Sequence, residues 1–197
     1  MQMKMESALD IHGDVTRVHG GDPEAFRSIF ARYARPVLGF IYNLVGDRAH
    51  AEDLTQETFV RAYRKLATVR EETRLSTWLF GIARNVVHEA IREKSRQRKI
   101  EVDEEAGVSI GTSSGGPYQQ LVNGELQRAI RLALQALPED HRLVFVLKMF
   151  HNLSYDEIAQ VTGSSVGKLK TDLHRARLEM RRRLKVWGAK MEPRGEL

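Results

Sequence analysis

The chain has 197 residues, a net charge of +5 at pH 7, a pI of about 9.6 and no cysteine. The missing cysteine excludes a disulfide framework, a thiolate zinc site and a thiol redox switch. No run reaches the ~18 apolar residues of a membrane span, and the N-terminus lacks a signal-peptide core, so a soluble cytoplasmic protein with no direct membrane insertion is expected.

Period-two alternation is absent and helical periodicity runs through most of the chain, which predicts an all-α fold. After a polar leader, Asp22 and Pro23 read as the cap and first-turn proline of a first helix whose apolar side is Phe26, Ile29, Phe30 and Tyr33. Pro36 should kink or break that helix before Val37, Leu38, Ile41 and Tyr42 carry it to Gly46. Asp47 caps a second helix, which runs to about Leu66. With Leu54, Thr58, Ala62 and Leu66 facing inward, Asp53, Gln56, Glu57, Val60 and Arg64 face outward. An acid-and-amide patch on a basic protein suits docking to a basic partner, and it equally suits an ordinary solvated helix face.

Ser76 is the expected cap of a third long helix, through Lys99, following the polar stretch "REETRLST". Arg84, Asn85, His88, Arg92 and Ser95 share one side of it, and Trp78 and Phe80 begin it. Basic and amide groups beside aromatics fit single-stranded nucleic acid, held by phosphate contacts and base stacking. A core that buries Trp78 and Phe80 while the charges are solvated is the other reading.

The composition then changes. Glu101, Asp103, Glu104 and Glu105 precede "GTSSGGP", an acidic and flexible linker expected over residues 100–124. Helical pattern resumes at about Glu125 and continues to Leu137; Pro138 marks a break before "RLVFVLKMF". Two small helical domains, 1–99 and 125–197, are therefore expected around the linker.

In the second domain, Ser154 followed by Glu157 is a capping box, and Gly163 closes that short helix. A further helix begins at about Ser165, with Val166, Leu169, Leu173, Ala176, Met180 and Leu184 as its buried stripe. Gly167, Lys168, Thr171, His174, Arg175, Leu178 and Arg182 fall opposite. Between Ser164 and Lys190 nine Lys or Arg stand against Asp172 and Glu179, a local balance of +7. Helix, glycine turn and basic-faced helix form a helix-turn-helix pattern, whose second helix reads the DNA major groove; a solvated amphipathic helix at the end of a bundle is the alternative.

Catalytic patterns are missing. The Gly pairs lack the Lys-Ser/Thr of a phosphate-binding loop, and the seven histidines show no metal-ligand spacing. The chain is read as a non-enzyme without cofactor or metal.

Together the motifs resemble the sigma-70 family of bacterial RNA polymerase sigma factors, in particular the small extracytoplasmic-function (ECF) group. "AEDLTQETFVRAY" resembles the helix that docks on the β′ clamp helices. "STWLFGIARNVVHEAIR" resembles the helix that, with its preceding loop, recognises the melted minus-ten element. "LPEDHRLVFVLKMFHNLSYDEIAQVTGSSVGKLKTDLHRAR" resembles the domain that reads the minus-thirty-five element. The match spans about Asp22 to Leu184, in family order.

The resemblance implies roles. Asp53, Gln56 and Glu57 coincide with the family's docking face. Arg74, Arg84, Asn85, His88 and Arg92 fall on the minus-ten surface, with residues 70–77 where a flipped base is captured. Ser165, Lys168, Lys170, Thr171, His174 and Arg175 fall on the minus-thirty-five surface. The implied partners are the β′ and β subunits of core polymerase, promoter DNA and an anti-sigma factor, and the linker resembles the segment threaded toward the polymerase active site. Asp172 replaces a usual arginine. It either loses a phosphate contact, accepts a hydrogen bond from cytosine N4, or pairs with Lys168 or Arg175 on its own helix. A stand-alone helix-turn-helix regulator is the competing function, and it leaves the Asp53-Gln56-Glu57 face unexplained.

Overall fold

The computed structural model describes residues 23–66, 74–100 and 119–191. These residues form seven α-helices, with no strand among them: α1 (Pro23–Val45), α2 (Arg48–Lys65), α3 (Leu75–Ile100), α4 (Gln119–Gln135), α5 (Glu139–Met149), α6 (Tyr155–Thr162) and α7 (Val166–Met191). The described residues are helical as the periodicity predicts, but several boundaries differ.

Pro36 does not end the first helix, which continues unbroken through it. Proline costs one backbone hydrogen bond and crowds the preceding turn. Burial on both sides offsets that cost, because Ile29 precedes Pro36, and Val37, Phe40 and Ile41 follow it, all essentially inaccessible to solvent. The Asp22 cap lies outside the described residues. The Asp47 cap forms as expected: its carboxylate accepts from the His50 N–H at 2.7 Å. Gly46, at φ +80°, makes the sharp reversal that lets α2 pack back on α1.

Helix α3 starts at Leu75, so Ser76 sits inside the first turn rather than capping it. Helix α4 starts six residues before the expected Glu125, with Gly124 inside it. The Ser154 capping box has both of its hydrogen bonds, and Gly163 ends α6 in the left-handed conformation at φ 71°.

Helices α1, α2 and α3 pack on one another, and so do α4, α5, α6 and α7. The two groups also meet: α6 lies against α3, and both α4 and α5 lie against α1. One contiguous apolar core runs from Ile29 to Met180 through this junction. At its centre the His151 ring packs between Phe80 and Phe40, with centroids 4.6 and 5.8 Å away.

Candidate nucleic-acid and partner interfaces

Helix α7 presents the face expected of a recognition helix. Leu169, Leu173, Ala176 and Met180 are buried against α4, α5 and α6, while Val166 and Leu184 are half-buried. Ser165, Lys168, Lys170, Thr171, His174 and Arg175 are all exposed. The Ser165 hydroxyl accepts from the Lys168 N–H at 3.4 Å, and the Thr171 hydroxyl donates to the Gly167 carbonyl at 3.1 Å. Lys170 is held over the Tyr155 ring at 5.7 Å, with Lys148 at 5.1 Å from the same ring. Tyr155 thus fixes where one cation of the face sits. The part Tyr155 plays has no signature in the sequence, since it depends on contact between α6 and α7 that neither helix alone encodes.

Of the readings of Asp172, the structure shows the pairing with Lys168 on its own helix. Asp172 is 7 % exposed, on the core side of α7, and accepts from the Lys168 ammonium at 2.7 Å. His141 Nε2 lies 3.7 Å from its other oxygen. Lys168 also donates to Asp140, in the first turn of α5, at 2.7 Å. The Lys168 hydrogen bond holds the Asp140 carboxyl below its usual range, and the two carboxylates raise Lys168. The i,i+4 spacing made the Lys168–Asp172 pair legible, whereas Asp140, 28 residues away, was not. Beyond the first turns, Arg182 donates twice to Glu179, and Arg183 donates to it once.

On α2, Asp53, Gln56, Val60 and Arg64 are exposed, as the helical register requires. Glu57 is half-buried and accepts from Arg61 at 2.6 Å; the same guanidinium reaches Glu89 of α3, also at 2.6 Å. Asp53 and Gln56 are therefore the open part of the patch, and Glu57 is tied to the α2–α3 junction.

On α3, Asn85 and Arg92 are exposed, and Arg84 and His88 are half-buried. Arg84 donates to the Asn85 side chain at 3.1 Å. Phe80 is buried and Trp78 half-buried against the core, so the core reading holds for Phe80. Of the preceding loop, residues 67–73 lie outside the described residues. Arg74 is exposed and donates to Glu157 of α6 at 2.9 Å. Burial works to raise Glu157, but the Ser154 hydrogen bonds and the Arg74 charge outweigh it and hold the carboxyl below its ordinary range. This link between the expected minus-ten surface and the helix-turn-helix was invisible in the sequence.

Residues 29–97 match the family model described as sigma-70 region 2, and residues 127–180 match sigma-70, region 4. The chain is 32 % identical over 178 residues to the ECF RNA polymerase sigma factor SigW of Bacillus subtilis, covering 87 % of this chain and 95 % of that protein. It is 33 % identical over 170 residues to the RNA polymerase sigma-H factor of Pseudomonas aeruginosa, covering 83 % and 88 %. Among solved structures it is similar to the sigma factor RpoE in complex with the anti-sigma factor NepR from Bartonella quintana. The TM-score there is 0.70 at 25 % identity, over 82 % of this chain and 97 % of that one. CnrH in complex with the cytosolic domain of CnrY shares the fold, at a TM-score of 0.66 and 21 % identity over 90 % and 98 % of the two chains.

Proposed function

The chain belongs to the sigma-70 family as an RNA polymerase sigma factor of the ECF type, and from that premise we propose how its surfaces divide the work of promoter-specific initiation. Residues 1–99 dock on the β′ clamp helices through Asp53 and Gln56, with Glu57 as a half-buried neighbour. Arg74, Arg84, Asn85, His88 and Arg92 hold the melted minus-ten strand. Residues 125–197 contact the β subunit and read the minus-thirty-five duplex through Ser165, Lys170, Thr171, His174 and Arg175, while Lys168 supplies charge once its carboxylate partners release it. Residues 100–124 join the two parts. Polymerase carries out the chemistry, which places this chain in the cytoplasm as a non-enzymatic factor. An anti-sigma factor is a further partner, in line with the complex with the anti-sigma factor NepR in which the similar RpoE was solved. No helix among the described residues is long and apolar enough to cross a membrane.

The observation that carries this reading is the pairing, in one chain and in family order, of an exposed acid-and-amide face on α2 with an exposed basic face on a helix-turn-helix. Mixed with bacterial core polymerase, the protein should form a one-to-one complex that opens promoter DNA, seen as permanganate-reactive thymines, and Asp53→Lys should abolish the complex without loss of helicity. Alone it should bind promoter duplex only at the ~10⁻⁴–10⁻⁶ M of non-specific contact. Tight duplex binding by the protein alone, at ~10⁻⁸ M or below, without polymerase association would replace this reading with a stand-alone regulator.

A further inference from the structure

A surface that binds nucleic acid holds phosphates with cations, so a carboxylate set among those cations works against it. Helix α3 carries such a carboxylate. Glu89 follows Asn85 by four residues and precedes Arg92 by three, so at ~100° per residue it falls within about 60° of both on the helix surface. All three are exposed. The spacing makes Glu89 a natural ion-pair partner for Arg92. That pair does not form: Glu89 is engaged elsewhere, and among the described residues Arg92 makes no ion pair. The other carboxylate of α3, Glu93, is paired with Arg96 further along the helix.

What engages Glu89 comes from the neighbouring helix. Arg61 of α2 donates through Nη1 to Glu89 Oε2 at 2.6 Å and through Nε to Glu57 Oε1 at 2.6 Å. Glu57, one turn earlier on α2, thus anchors one edge of the planar guanidinium and fixes where its other edge points. The Glu57 hydrogen bond, and after it the Glu89 one, raise Arg61 above its ordinary range. As a stabilising device this bridge is worth little, because both carboxylates are about half exposed. What it changes is the charge on α3: with Arg61 in place, the side that carries Asn85 and Arg92 shows no unpaired carboxylate.

We propose that Arg61 is a positioning residue for the melted minus-ten strand: it holds the Glu89 carboxylate toward α2, which leaves Arg92 free for strand phosphate and takes a negative charge out of the strand's path. This role rests on the reading, given above, that α3 meets the melted strand through Asn85 and Arg92. Arg61 itself touches no nucleic acid and acts through Glu89 alone. Without it, Glu89 has Arg92 in reach at i,i+3 spacing, and pairing there removes one phosphate-binding charge from the surface.

A mutant cycle on the full-length chain tests this, read at saturating bacterial core polymerase with gel filtration confirming that each variant is bound. The probe is a fluorescein-labelled single strand that the wild-type complex enriches from a random DNA pool. Arg61→Gln should weaken strand binding roughly two- to fivefold and flatten its dependence on log salt by up to ~0.7, the value of one phosphate contact on a single strand. Glu89→Gln alone should bind the strand as well as wild type or better, and combined with Arg61→Gln it should restore binding. That rescue separates positioning from a structural role, because removing both partners of a bridge that only stabilises the fold restores nothing. Circular dichroism checks folding. If Arg61→Gln loses helicity, Arg61→Lys keeps the charge without the fork and should give a smaller loss that Glu89→Gln again removes. Equal losses with and without the Glu89 carboxylate, or no loss in a folded Arg61→Gln, overturn the proposal and leave the minus-ten reading standing. If the wild-type complex enriches no strand, or Arg92→Ala binds the enriched strand as wild type does, the minus-ten role of α3 falls and the proposal with it.

Discussion

At the scale of single residues, the local charge of +7 around the recognition helix overstates what is free to meet DNA. Lys168 is held by two carboxylates, and its partner Asp172 is buried rather than set in the groove-facing row. Removing the exposed member of that clamp should loosen the ammonium, leaving it on Asp172 alone, at little structural cost, because solvent-exposed ion pairs contribute at most about 1 kcal/mol. Asp140→Asn should therefore leave the melting temperature nearly unchanged, tighten binding to a minus-thirty-five duplex and steepen its dependence on log salt by up to ~1. An unchanged slope in a salt titration would mean that Lys168, held by Asp172 alone, does not reach phosphate. His151 carries the second residue-scale prediction. Burial pushes its imidazole down to about 4, whereas in an unfolded chain it titrates near 6.5. The unfolded state thus takes up the proton first on acidification, so the stabilisation is fully present above pH ~6.5 and drains away as pH falls toward 4. Thermal melts between pH 7 and 5 should show the wild type losing stability more steeply than His151→Leu, which has no proton to gain there.

At the scale of elements, what was legible in the sequence was what neighbouring residues decide among themselves. The Ser154–Glu157 capping box, the Asp47 cap and the Gly163 stop are contacts over three or four residues, and each is present. Ser154→Ala should cost ~0.5–2 kcal/mol, the usual value of a lost N-cap, and denaturant melts read it directly. The effect should exceed that of Asp47→Ala, because Glu157, once released from the capping box, also loses its fixed orientation toward Arg74. Pro36 shows where local reasoning stops. The ring's penalty is local, but the burial of Ile29, Val37 and Phe40 that overrides it is set by helices elsewhere in the chain. The basic row on α7 and the acid-and-amide row on α2 followed from helical period alone. The engagement of Glu57 with Arg61 and Glu89, of Lys168 with Asp140 and of Arg74 with Glu157 did not, since each needs a third dimension that spacing does not supply.

At the scale of the whole molecule, the question is whether two domains joined by a linker behave as two folding units or as one. Composition argues for two, because an acidic Gly-Ser-Pro stretch separates two helical patterns. Packing argues for one, because the buried core continues from α1 and α3 into α5 and α6. Phe40 sits at the junction, fully buried and edge-on to Phe80, with His151 of the other half against both rings. A shared core couples the stability of its halves, and the test of such coupling is whether different probes report the same transition. The sequence supplies the probes: of its two tryptophans, Trp78 falls in the first half and Trp187 in the second. Trp187→Phe leaves a reporter on the first half, and Trp78→Phe leaves one on the second. In urea the two single-tryptophan proteins should unfold with coincident midpoints. Adding Phe40→Ala to each, a substitution that typically costs ~3–5 kcal/mol at a buried phenylalanine, should lower both midpoints, because the cavity opens on the surface that His151 covers. If the first half loses stability while the Trp187 transition stays in place, the junction is contact without coupling, and the halves fold as independent domains.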